Sequence, residues 1–132
     1  MSLLKLCVLA FFLAAVSRSV RDGVFSKAQA ARGQNVYREE CAKCHGENLA
    51  GGEGAPGIVG DDFTAKWTGK TVNDFFERTR KTMPADDPGH LSRRQYADLV
   101  AYMLSANEYP AGEKDLESTA EAMSDIRIEA RK

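Results

Sequence analysis

Apolar positions change their spacing several times along the chain, and each change marks a different kind of segment. Leu6 to Val16 is an unbroken apolar run of eleven residues behind Lys5. That is the pattern of an export leader's hydrophobic region, and it is too short to span a bilayer comfortably. Cys7 sits at the start of this run and reads as apolar filler. From Lys27 to Glu40, helix formers dominate, and Gly33 and Tyr37 fall one turn apart on a common face. The periodicity then disappears. Residues 48–62 are glycine-rich with one proline, which predicts a loop that needs some other object to wrap around. It returns in "TVNDFFERTRK", where Val72, Phe75, Phe76 and Thr79 share a face behind Thr71 and Asp74 at capping-box spacing. "MPADDPGH" ends that helix. Tyr96, Leu99, Val100, Met103 and Leu104 then recur at helical intervals behind a second capping box, Ser92 with Gln95. Past Glu113, Leu116, Met123, Ile126 and Ile128 are scattered among charges, a pattern that fits a final helix, a strand packed on the domain or a partly mobile tail equally well. No hairpin signal or internal repeat interrupts this, so the expected class is all-α, with about three to five short helices.

Composition narrows the picture. The chain has 132 residues, 43% hydrophobic and 28% charged, which bounds it to one small globular core. The expected division is a leader over 1–19, cleaved between 17 and 26, then a domain over 27–112 and an extension over 113–132. The net charge is −1, and without residues 1–19, which hold Lys5 and Arg18 and no acid, it becomes about −3. No basic stripe points to nucleic acid. After leader removal no membrane span is expected, and a monomer exported to the periplasm is. Nothing resembles acid–base or nucleophilic machinery: Asp86 and Asp87 read as a solvated turn, and the chain is expected not to be an enzyme.

The candidate chemistry lies in "EECAKCHGENLAGG", Glu39 to Gly52. A dithiol oxidoreductase would set Cys-x-x-Cys between a strand and a helix, where the helix N-terminus lowers a thiol pKa. Here a helix precedes the motif and a glycine loop follows. Zinc would need four ligands at tetrahedral spacing, and Cys41, Cys44, His45 and His90 would have to supply them, with Cys44 and His45 adjacent. Cys-x-x-Cys-His is instead the attachment sequence of c-type haem. Each thiolate adds across one vinyl group, so the sulfurs must lie about one helical turn apart, and the following histidine reaches the iron from the same side. The leader, the wrapping loop and the downstream Met83-Pro84 all agree with that reading.

Taken together, "GQNVYREECAKCHGENLAGG", "GAPGIVG", "KWTGKT" and "TMPADDPGHLSRRQYADLVAYML" resemble a class I monohaem cytochrome c, most closely the small periplasmic cytochromes that accompany quinoprotein (PQQ) dehydrogenases. The resemblance covers roughly residues 27–112 and implies the cytochrome c fold around one covalent haem c with its iron. It implies thioether links at Cys41 and Cys44, His45 as proximal ligand and Met83 as distal ligand. Met83 also stands in an irregular segment between two helices, where a side chain can be held away from either core. Its rival Met103 lies on an apolar helix face and reads as packing. With less weight, the resemblance implies that the Pro56 carbonyl receives the His45 Nδ1 proton, that the Trp67 indole donates to a haem propionate, and that Gly33 and Tyr37 form the contact of the first and last helices. The implied function is electron transfer from a periplasmic dehydrogenase to an oxidase or another cytochrome. Two alternatives stand beside it: a haem subunit fixed inside a dehydrogenase complex, and a haem enzyme or gas sensor with a labile distal ligand.

Overall fold

The computed structural model describes residues 18–131. The leader expected over 1–19 lies outside the described residues except for Arg18 and Ser19.

Local capping chemistry starts the main helices. Helix α1 spans Lys27–Glu40, and the Ser26 side chain accepts the Gln29 N–H at 3.0 Å. The motif forms a single turn, α2, over Ala42–His45. Helix α3 spans Gly60–Trp67, α4 Val72–Thr82 and α5 Arg93–Ala106. The capping boxes expected at Thr71/Asp74 and Ser92/Gln95 are both formed. The architecture is helical, as the periodicity predicts, and α5 is its axis, with Tyr96, Leu99, Val100 and Leu104 buried along it.

Helix α1 packs on α5 at Gly33. A Cβ built there would lie 1.8 Å from the Asp98 carbonyl oxygen and 2.9 Å from Tyr102 Cβ, so the two backbones touch where no side chain fits. Tyr37, one turn on, tilts against Tyr102 of α5 with ring centroids 5.3 Å apart. Asp98, 5% exposed, is held at this crossing by Arg32 at 3.3 Å.

One part of the fold differs from the sequence expectation, and one that the pattern leaves open takes a definite form. Helix α3 occupies residues that the sequence reading left as the end of the loop and an unassigned stretch. It has Asp61 and Asp62 in its first turn, which favours the helix dipole, and Phe63 and Trp67 four apart facing inward. Its start has no side-chain cap of its own. The Gly60 N–H is taken at 3.0 Å by Asn107 Oδ1, from the end of α5, so the cap is tertiary and has no local signature.

The part left open by the pattern is the tail. It forms a one-turn helix, α6, over Ala120–Met123, and a two-residue strand, β2, over Ile126–Arg127, which pairs in parallel with β1, Arg18–Ser19. Met123, Ile126 and Ile128 are fully buried, as are Val20 and Phe25 from the segment before α1. The Gln29 amide joins the two ends of the chain, donating to Leu116 O at 3.0 Å and accepting the Leu116 N–H at 2.6 Å. Residues 113–131 are thus a layer of the domain, clasped with residues 18–25.

Candidate haem site

The end of α1 delivers the chain straight into the attachment motif. Tyr37 O caps the Cys41 N–H at 2.8 Å, and the Tyr37 hydroxyl donates to Gly46 O at 2.7 Å, pinning the motif turn at its far end. The loop then folds back over it: Gly51 N–H donates to His45 O at 2.8 Å, and Ile58 N–H to Leu49 O at 2.8 Å. Gly51 has φ +84°, and a Cβ there would lie 2.6 Å from Gly57 N. Only glycine satisfies both the left-handed backbone and the close return of the loop.

This folding brings Pro56 to His45. The imidazole Nδ1 lies 2.9 Å from the Pro56 carbonyl oxygen. A carbonyl can only accept, so Nδ1 carries a proton, and it is Nε2 whose lone pair is left for a ligand bond. His45 is 9% exposed, and it borders a cavity of about 820 Å³.

All six residues singled out from the sequence border that one cavity: Cys41, Cys44, His45, Pro56, Trp67 and Met83. Cys41 is half-buried and Cys44 exposed, and no disulfide joins them. Burial, with the neighbouring Glu40 carboxylate, pushes the Cys41 thiol up to about 11, the opposite of what a thiol-exchange nucleophile requires. Trp67 is buried against Phe75, centroids 4.7 Å apart, with Lys66 over its ring. Phe75, Leu99 and Met103 complete apolar walls. Met103 is 4% exposed and belongs to the core as expected, yet it borders the same cavity as Met83.

The donor set suits haem c. Two cysteines one turn apart, an imidazole nitrogen with its other nitrogen committed, and a soft thioether sulfur edge a space with apolar walls. His90 faces elsewhere: its Nε2 donates to Glu40 at 3.0 Å. With the Lys43–Asp86 pair at 3.1 Å, it ties the Met83 segment to the attachment side of the cavity.

Sequence reasoning missed Asn107. Buried to 1% exposure, its amide accepts from Gly60 N–H and donates to Ile58 O at 3.0 Å and to Met103 O at 2.8 Å, fixing the wrapping loop to α5. The one available signal was an Asn directly after an apolar helix, where it serves as a C-cap. Replacing Asn107 by Ala is expected to lower the unfolding free energy by about 2–4 kcal/mol, because loop groups are left unpaired in the core. Denaturant unfolding followed by haem absorption measures it, and an unchanged midpoint would show that the loop holds itself.

Comparison with known proteins agrees with this chemistry. Over 92 residues the chain is 29% identical to the cbb3-type cytochrome c oxidase subunit FixP of Sinorhizobium medicae, covering 60% of this chain and 30% of that protein. The chain thus spans about a third of that relative's length. The structure resembles a chain of the sulfane dehydrogenase SoxCD from Paracoccus pantotrophus with a TM-score of 0.55 at 20% identity, over 77% of this chain and 55% of that one, which is a likeness of fold. Residues 28–103 match the family described as cytochrome c oxidase, cbb3-type, subunit III; the chain belongs to this class I c-type cytochrome family, and is an electron-transfer haem protein of cytochrome c fold with covalently bound haem c and its iron.

Proposed function

We propose that the chain is exported to the periplasm, where it takes electrons one at a time from a dehydrogenase and passes them to an oxidase or another cytochrome. Cys41 and Cys44 would hold the haem through thioethers, and His45 Nε2 and Met83 Sδ would ligate its iron. The observation that carries this reading is the His45–Pro56 hydrogen bond at 2.9 Å, in a cavity that both cysteines and Met83 also border. That bond fixes the imidazole tautomer and aims Nε2 without a further partner.

Bound there, haem c supplies a one-electron ferric/ferrous couple. The residues set its working range. A thioether ligand favours the ferrous state, and the apolar walls of Phe75, Leu99 and Met103 exclude water, which penalises the more highly charged ferric state. Both act to raise the potential. Trp67 is assigned to a propionate, and its packing on Phe75 keeps the indole beside the cavity. Ligation by both His45 and Met83 would leave the iron no position for a substrate, so the chain is read as a carrier and not a catalyst.

A fixed subunit of a larger complex is the second reading. It is favoured by the relatives: one is named as an oxidase subunit, and the chain covers only part of each. Neither name is that of a quinoprotein dehydrogenase. Size-exclusion of the native extract separates the readings, since a free carrier elutes alone. The function itself is tested on the isolated ferrous protein, which should be reoxidised by membranes containing a terminal oxidase and bind carbon monoxide poorly. Rapid carbon monoxide binding without any such reoxidation would favour the sensor or enzyme reading instead.

A further inference from the structure

We propose that Tyr96 is a positioning residue for the distal ligand. Its buried phenol anchors the Met83 carbonyl and so keeps the open, ligand-accessible state of the iron scarce. The proposal rests on the assignment of Met83 as the axial ligand.

Met83 is the first residue past α4, in extended conformation with φ −124° and ψ 150°. Its N–H is still held by the helix, donating to Thr79 O at 2.9 Å. Its carbonyl opens the segment joining α4 to α5, which has no helix or strand of its own. A thioether hung there would follow each movement of that segment. Two donors reach the carbonyl. Gly89 N–H lies at 3.4 Å, near the limit of a hydrogen bond, and belongs to the same segment, so it moves with it. The Tyr96 hydroxyl lies at 2.7 Å and comes from α5.

Tyr96 cannot follow the segment. It is 0% exposed, and its ring stands edge-on to Phe76 of α4 with centroids 6.5 Å apart. Two helices of the core therefore fix where the hydroxyl sits. Two other ties of the segment, the Lys43–Asp86 ion pair and the Glu40–His90 hydrogen bond, lie at the surface, where such contacts contribute little. Packing alone would be served as well by a phenylalanine ring. A hydroxyl brought into an apolar core costs free energy unless it is bonded, and here its bond goes to the ligand residue's own backbone.

The test is Tyr96→Phe in the haem-loaded protein, beside Met83→Ala and Phe76→Leu. Imidazole affinity of the ferric form is expected to rise about tenfold in Tyr96→Phe, the factor that one lost hydrogen bond of ordinary strength produces. The far-red sulfur-to-iron absorption should fade at a lower temperature than in the native protein. Phe76→Leu, which loosens the ring's seat but keeps the hydroxyl, should lower the unfolding midpoint and raise imidazole affinity less than Tyr96→Phe does. If Tyr96→Phe stays within twofold of native, or rises no more than Phe76→Leu, the phenol is structural and the proposal falls. If Met83→Ala keeps the far-red absorption, it is the ligand assignment that has failed, whatever Tyr96→Phe does. Should Tyr96→Phe not mature, proton NMR of the native ferrous protein decides. A slowly exchanging Tyr96 hydroxyl proton close to the Gly89 amide supports the anchor, and a rapidly exchanging one overturns it.

Discussion

Replacing Gly33 by alanine is expected to lower the unfolding free energy by about 3 kcal/mol, against the usual direction of a glycine-to-alanine change inside a helix. Helix propensity alone would favour alanine by about 1 kcal/mol. The opposing effect is larger because of what the new methyl meets. It would lie 1.8 Å from Asp98 O and 2.4 Å from Asp98 C, which are backbone atoms of α5 and cannot rotate away. The helices must separate, and the strain spreads to the Tyr37–Tyr102 contact and the Arg32–Asp98 pair beside it. Because Tyr37 also borders the cavity and bonds Gly46 O, haem incorporation should fall as well. Denaturant unfolding of the holoprotein gives the first number and the haem-to-protein ratio the second. A midpoint equal to or above native would show that α1 and α5 pack more loosely than described.

Met83→Ala should abolish the far-red absorption, lower the reduction potential, and raise imidazole affinity on the order of 100-fold, the change expected if the native site is open about 1% of the time. On the proposed ligation the potential falls because a thioether that favours ferrous iron is lost, and Met83→His should lower it too while keeping the haem six-coordinate and low-spin. Met103→Leu is the control that matters, since Met103 borders the same cavity. That swap nearly conserves apolar volume and should alter neither absorption nor affinity. If the far-red absorption is lost on changing Met103 and kept on changing Met83, the two methionines exchange roles. The proposed Tyr96 anchor would then bear on a residue that does not touch the iron.

Much of this protein is local physics, and the sequence by itself determined that part. Ser26, Thr71 and Ser92 cap the helices that follow them through side chains no more than three residues from the groups they bond, so the starts of α1, α4 and α5 follow from spacing alone. The proposed haem attachment is local in the same way: Cys41, Cys44 and His45 fall within one turn, and the chemistry of thioether addition needs no distant partner. What tertiary structure alone decided depends on groups far apart in the chain. Helix α3 starts on an Asn107 amide 47 residues away, and the tail joins the domain through a Gln29 amide 87 residues from Leu116. Neither bond has a sequence period, because its two halves lie on different elements. Likewise, the pattern showed Tyr96 only as one apolar position on α5. Its hydroxyl meets Met83 because α4 and α5 pack side by side, and a helical repeat records which face is buried without recording what a polar atom on that face will find there.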